Sequence, residues 1–330
     1  MRLGGPFGVG GARRGFGGLG GLAVTIVALL GGGPGSGVAV AAGPAACAYG
    51  TLAGDQSITL TADGLAREAV LHVPSSPAGT ALPLIVAFHG YGGSGAEFAR
   101  DTGLSTLADK EGFAVVYPSS HGPQWAISGG ERDVLFTSAL LDRVEAVACV
   151  DPARVYATGV SIGAGMAARA GCELSARIAG LVLVSGGYRS LPACNPDRPL
   201  SILEIHGTAD TTVPYAGRGA SRAGAVLPYV VGWATRDRCG PTPTHSVVAR
   251  HTLRYEWTGC AWGTIVEHLR IYGGKHGLPN AVGAEISSGD TSSIDGAYEI
   301  WHFLASRKLA LPFAALSVPA PAAATVPAPA

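Results

Sequence analysis

The chain has 330 residues, enough to bury a full-sized core, with 23 basic and 23 acidic side chains and a formal net charge of zero. A surface balanced in this way lacks the electrostatic footprint that nucleic acid or an anionic membrane would require, so no nucleic-acid partner is expected. Charged residues make up 14% of the chain and hydrophobic ones 47%, the latter raised by alanine, and one large α/β domain fits better than two small ones.

Residues 1–41 carry the parts of an export signal. Arg2, Arg13 and Arg14 form a positive start, Leu19 to Leu30 an apolar run, and Ala39-Val40-Ala41 a small-residue cleavage site. The run is short and glycine-flanked for a membrane span, so no stable membrane anchor is expected. Arg13-Arg14-Gly15-Phe16 hints at twin-arginine export, and lipoprotein anchoring at Cys47 is a lesser alternative. The folded domain is then expected over 42–312. Residues 313–330, rich in Pro and Ala, read as a disordered tail.

All six cysteines (Cys47, Cys149, Cys172, Cys194, Cys239 and Cys260) follow the proposed cleavage point. An even number in an exported chain favours three disulfides. The expected pairing is Cys239–Cys260 and Cys172–Cys194, which leaves Cys47–Cys149 by elimination. No Cys-x-x-Cys or His-Glu-x-x-His spacing supports a metal site.

Between the ends, short apolar runs alternate with amphipathic stretches. Leu84 to Phe88, Phe113 to Tyr117, Val155 to Thr158, Leu181 to Val184, Ile202 to Ile205 and Thr264 to Tyr272 read as strands. Val134 to Ala148, Ala164 to Ala170 and Ile294 to Ser306 read as helices. Alternation of this kind implies right-handed crossovers and a mostly parallel central sheet with helices on both faces. Chemistry on such a sheet gathers on loops beyond the strand C-termini.

Gly159-Val160-Ser161-Ile162-Gly163 fits the G-x-S-x-G nucleophile elbow. By itself the match is weak, because chance supplies about 0.5 of them in so glycine-rich a chain. Its setting, strand before and helix after, is what an elbow needs. The turn would lift the Ser161 hydroxyl off the sheet and aim the Ile162 N–H at developing negative charge. An ordinary Gly-rich turn is the plain alternative.

A serine hydroxyl needs an imidazole to take its proton. His72 and His268 lie in strand-like alternations, His251 begins one, His302 sits on the last helix, and His121 and His245 lie in loops. His276 follows the last strand on the glycine-rich loop Gly273-Gly274-Lys275-His276-Gly277 and comes last, as the hydrolase order Ser, Asp, His requires. Asp210, on the loop after the Ile202-to-His206 run, is the acid; Asp237, near Cys239 on a helix, is its rival. Phe88-His89-Gly90-Tyr91-Gly92-Gly93 follows an early strand and can supply the Tyr91 N–H to an oxyanion hole shared with Ile162, with His89 as an orienting residue.

Together these runs resemble the poly(3-hydroxybutyrate) depolymerase/feruloyl esterase group of the α/β-hydrolase superfamily, related to carbohydrate esterase family 1. The resemblance rests on His89-Gly90-Tyr91-Gly92-Gly93-Ser94, Gly112 to Pro118, Asp133-Val134, Asp151 to Gly159, His206 to Asp210 with Val213-Pro214-Tyr215, the Trp233…Cys239…Cys260 region and Trp301-His302-Phe303. It spans roughly residues 47 to 309. It implies an α/β-hydrolase fold, a Ser161–Asp210–His276 triad and ester hydrolysis with no cofactor. Two stretches depart from the pattern. Ser161-Ile162-Gly163-Ala164 replaces Ser-Asn-Gly-Gly or Ser-Ala-Gly-Gly, and Leu278 stands where the group has a tryptophan beside the base.

Trp125, Tyr215 and Leu278 are the candidate substrate contacts. The expected partner is an ester, small or polysaccharide-linked: feruloyl, acetyl or hydroxyalkanoate. With no second domain after about Leu311, crystalline polymer is disfavoured. A secreted serine peptidase on the same fold and a non-catalytic binding protein are the alternatives.

Overall fold

Short apolar runs build the sheet. The computed structural model describes residues 52–76, 79–188, 191–218, 224–279 and 294–309. The proposed export signal, Cys47 with its pairing to Cys149, and the Pro/Ala tail lie outside the described residues. In β1 (Gly54–Ala62) and β2 (Leu65–Val73) the chain forms a hairpin, closed by Asp63-Gly64 with φ of 51° and 70°. Both central residues in the left-handed region is the geometry that matches a two-residue turn to strand twist.

Strand β3 (Leu82–Phe88) leads through α1 (Gly95–Asp101) and α2 (Leu104–Glu111) to β4 (Ala114–Pro118). Helix α3 (Arg132–Glu145), β5 (Val150–Val160), α4 (Ile162–Glu173), β6 (Gly180–Val184) and β7 (Ser201–Gly207) follow. Then come α5 (Val226–Arg236), β8 (Thr244–Ala249), β9 (Thr252–Trp257), β10 (Val266–Ile271) and α6 (Gly296–Leu304). His245, expected in a loop, lies on β8 opposite Tyr255.

The ten strands make one sheet in the order β1-β2-β4-β3-β5-β6-β7-β10-β9-β8. Its centre, from β4 to β10, is parallel, and antiparallel strands flank it on both sides. Alternate side chains feed two cores. Leu84, Val86, Val155, Ala157, Leu181 and Leu183 pack with Phe136 and Leu140 of α3, Met166 of α4 and Trp233 of α5. Ile85, Ala87, Tyr156, Val182 and Val184 pack with Phe98, Leu104 and α6 on the other face, where Phe113 stacks on Trp301 at 4.0 Å. Burial on both faces explains why these strands read as continuous apolar runs.

Disulfides Cys172–Cys194 and Cys239–Cys260 join α4 to the segment before β7 and the end of α5 to the turn after β9. Beside the second lies Asp237, fully buried, with Oδ2 accepting the Leu200 N–H and no partner for Oδ1. Burial pushes its pKa up to about 7 against the usual 3.8. A carboxyl whose folded pKa is raised binds more protons folded than unfolded, so it loses stability as pH climbs from about 4 to about 7. Asp237→Asn is therefore expected to raise stability by about 1 kcal/mol or more at pH 8 and to change it little at pH 4. Urea denaturation at the two pH values reads this directly.

Candidate active site

The strand order turns back on either side of β3, so a crevice opens above the C-terminal ends of β3 and β5. Both loops that flank it carry candidate residues. After β5 the chain turns sharply at Ser161, which has φ 59° and ψ −122°. A non-glycine residue in that region costs about 1–3 kcal/mol and persists only where its surroundings over-determine it. Here they do. A Cβ on Gly159 would strike the backbone of Gly163, and one on Gly163 would strike the carbonyl oxygens of Phe88 and His89. The two flanking glycines thus let β5, the start of α4 and the end of β3 come together. The Ser161 N–H is tied to Val184 O at 2.9 Å, and its carbonyl accepts from Ala164 at 3.1 Å. As the first residue of α4, Ile162 has an N–H without an intrahelical acceptor.

The turn after β3 is set by His89. Its Nδ1 donates to Gly90 O at 2.6 Å, and its Nε2 accepts the Ser120 N–H at 3.1 Å. Those partners require the neutral ring with its proton on Nδ1. Burial lowers the His89 pKa, in keeping with that form. His89 is therefore an orienting residue and leaves its carbonyl to Trp125 Nε1 at 2.9 Å. The neighbouring loop is held by a buried ion pair, Arg67 to Asp133 at 2.8 Å, with Asp133 also accepting the Ala126 N–H.

The other two loops are stitched to each other. Ala209 N–H donates to Gly274 O at 2.9 Å and Gly273 N–H to Thr208 Oγ1 at 2.9 Å. Gly207 has no room for a side chain, because a Cβ would meet the backbone of Gly274. Ser185, at φ 49° after β6, holds Gly277 through 3.2 Å contacts to its N–H and its carbonyl. The result is a 2.7 Å hydrogen bond from His276 Nδ1 to Asp210 Oδ2. Asp210 Oδ1 accepts the N–H groups of Thr212 and Val213 at 2.9 and 2.7 Å. Burial would raise the Asp210 pKa, but hydrogen bonds from His206 and His276 and the charge of His276 outweigh it and hold the carboxyl well below its usual range. Asp237, the rival acid, is buried at the end of α5 and is bonded to Leu200.

Ser161 and His276 meet as walls of one cavity of about 210 Å³. Their side chains do not hydrogen-bond to each other in the structure; Nε2 of His276 is the ring nitrogen left for the serine. The remaining walls include Tyr91, Ser94, Glu97, Phe98, Asp101 and Thr212. The three expected substrate contacts do not line this cavity, although Trp125 lines a neighbouring one together with Ile162. Leu278 is 1% exposed and packs in the core against Gly296. Trp125, equally buried, backs the His89 turn with its ring edge-to-face on Phe88. Tyr215 is turned to the α5 side, where its hydroxyl meets His268 Nε2 at 2.8 Å. Closeness in sequence to the base suggested Leu278, but the chain after Gly277 dips toward α6 and carries it inward. Phe98, Glu97 and Asp101, on α1, gave no sequence signal that separates them from an ordinary amphipathic helix.

Residues 68–190 match the family model described as esterase PHB depolymerase. Feruloyl esterase B of Piromyces equi is 30% identical over 64% of this chain and 42% of its own length. Over 66% of this chain and 79% of its own length, a protein of Aspergillus terreus described as "Probable feruloyl esterase C" is also 30% identical. The chain spans 50%, 42% and 32% of the lengths of three of the curated relatives it matches. An acetyl xylan esterase from Aspergillus awamori, 16% identical, superposes with a TM-score of 0.58 over 76% of this chain and 98% of its own. That likeness shows the fold, an α/β-hydrolase sheet with helices on both faces.

Proposed function

Since the chain belongs to the esterase PHB depolymerase family, we propose that it is a serine carboxylic-ester hydrolase working through an acyl-enzyme. One observation carries the reading: Ser161, strained into φ 59° at a strand-to-helix turn, shares a cavity with a histidine anchored to a buried carboxylate. In this mechanism Ser161 Oγ attacks the ester carbonyl while His276 Nε2 takes its proton. Asp210 holds the imidazole with its proton on Nδ1 and steadies the imidazolium that forms. The N–H groups of Tyr91 and Ile162 face the oxyanion, helped by the N-terminus of α4. His276 then protonates the departing alcohol, and water repeats the cycle on the acyl-enzyme. No cofactor is needed for these steps.

For substrate we favour neutral feruloyl or acetyl esters, including those on polysaccharide, over free-acid hydroxyalkanoate oligomers. The relatives' names point to the first two, and the cavity supports them. Tyr91 is 69% exposed at its wall, a flat surface for an aromatic acyl group. Glu97 adds a carboxylate to the same cavity, beside Asp101, which is paired with Arg100 at 3.5 Å, and the negative charge that remains repels a substrate carboxylate. Export is part of the reading. The two disulfides suit an oxidising compartment, and no helix among the described residues is long and apolar enough to cross a membrane.

The test is a hydrolysis panel of methyl ferulate, p-nitrophenyl acetate, acetylated xylan and 3-hydroxybutyrate oligomers. At low salt the neutral esters are expected to exceed carboxylate-terminated oligomers by about tenfold or more in kcat/KM, with the gap narrowing as salt screens the wall. Equal rates at all ionic strengths would remove the electrostatic part of the assignment. Turnover of p-nitroanilides but not of acyl esters would favour a peptidase. Failure of a fluorophosphonate to label Ser161 would favour a non-catalytic binding protein.

A further inference from the structure

Behind Asp210 lies a polar cluster for which the acyl-enzyme cycle above has no use. Along β7 the side chains of Ile202, Glu204 and His206 fall on the α5 face of the sheet, and on β10 those of Val266 and His268 join them. Glu204, His206 and His268 are completely buried. His206 Nδ1 is 2.9 Å from Glu204 Oε1; its Nε2 is 2.8 Å from Val213 O and 3.2 Å from Asp210 Oδ2. A backbone carbonyl can only accept, and so can an ionised carboxylate. With both carboxylates ionised, in keeping with the lowered pKa of each, both ring nitrogens carry protons and His206 is an imidazolium held between two acids.

We propose that Glu204 and His206 extend the Asp210–His276 pair into a chain of alternating charge, in which His206 is a positioning residue that fixes the Asp210 carboxylate and offsets part of its charge. The proposal rests on the reading of His276 as general base. Every group facing His206 fits it. Glu204 also has His268 Nδ1 2.8 Å from Oε2 and accepts the Tyr188 hydroxyl at 3.2 Å. His268 Nε2 is bonded to Tyr215, whose ring lies under Arg270, while Tyr229 of α5 stacks on Tyr188 at 3.7 Å. Burial would lower the His206 pKa, but the charge of Glu204 and the hydrogen bonds to Asp210 and Glu204 push it up to about 10. Burial would raise the Glu204 pKa, yet His206 and His268 bring it below the usual range.

Glu204→Gln and His206→Gln keep hydrogen-bonding shape while removing charge; the first takes away the counterion that keeps His206 protonated. A unit charge at this range acts through an effective dielectric of about 20, so the acid limb of kcat/KM should move up by about one pH unit in His206→Gln and by less in Glu204→Gln, where loss of the Glu204 negative charge partly cancels loss of the His206 positive charge. The plateau rate at high pH should fall less than about tenfold, because the triad itself is intact. A lowered Tm with the limb unmoved would make the cluster merely structural and overturn the proposal. A second measurement needs neither variant nor turnover. In 15N-histidine NMR of the full chain, the imidazole correlated through bonds to the His206 backbone should remain doubly protonated to about pH 9. A neutral His206 ring at pH 7.5 would overturn the proposal even if ester hydrolysis holds. Failure of the hydrolase reading looks different: the wild-type chain would be inert to esters and to fluorophosphonate, with the NMR result unaffected.

Discussion

Ser161→Ala is expected to lower kcat on p-nitrophenyl acetate by about 10⁴-fold or more, with the fold intact. The magnitude follows from the role. Without Oγ there is no nucleophile for His276 to activate, and only binding and the oxyanion donors remain. The unchanged fold follows from the surroundings. Ser161 is anchored through its backbone, to Val184 O and to Ala164 N–H, while its side chain faces the cavity. Its removal should shift stability by no more than about 0.5 kcal/mol. Steady-state kinetics beside a thermal melt tests both halves. Activity within tenfold of wild type would reject Ser161 as nucleophile.

Gly163→Ala should do the opposite: it leaves the chemistry's side chains in place and breaks the framework that holds them. The new methyl would overlap the carbonyl oxygens of Phe88 and His89. Neither can retreat easily, because Phe88 is paired with Gly159 across β3 and β5, and His89 is clamped to Gly90 and Ser120. Overpacking where side chains can adjust costs about 1–3 kcal/mol; against fixed backbone a loss of at least about 3 kcal/mol is expected. Activity should fall with it, because Tyr91 and Ile162 are moved apart. Gly232→Ala on α5 is the control: its Cβ meets nothing within 4 Å, so up to about 1 kcal/mol of added helix stability is expected. Urea midpoints at constant slope compare the two. A neutral Gly163→Ala would show that the close approach of β3 and α4 is not required.

Much of this was legible in one dimension. Most of the central strands read as apolar runs because helices cover both their faces. Gly-Val-Ser-Ile-Gly between strand and helix marked the elbow, since only glycine fits at Gly159 and Gly163. The pocket walls were not legible. Trp125, Tyr215 and Leu278 are apolar or aromatic and near the motifs, which is equally true of residues that pack the core. Glu204 did carry a signal, a charge inside the buried run Ser201–Gly207, with His206 on the same face. Its meaning appears only when Asp210 and His268 arrive beside it.

Sequence by itself determined the layered α/β architecture, the strand-end positions of Ser161, Asp210 and His276, and their order along the chain. Period, turn chemistry and glycine spacing are local, and each is set within a few residues. Tertiary structure alone decided which walls face the serine, which tautomer His89 adopts and which acids stand against His206. Those depend on distances between residues far apart in the chain, as the 66-residue interval between Asp210 and His276 illustrates. Hydrogen bonds and charges act over a few ångströms, and only folding brings such groups within that range.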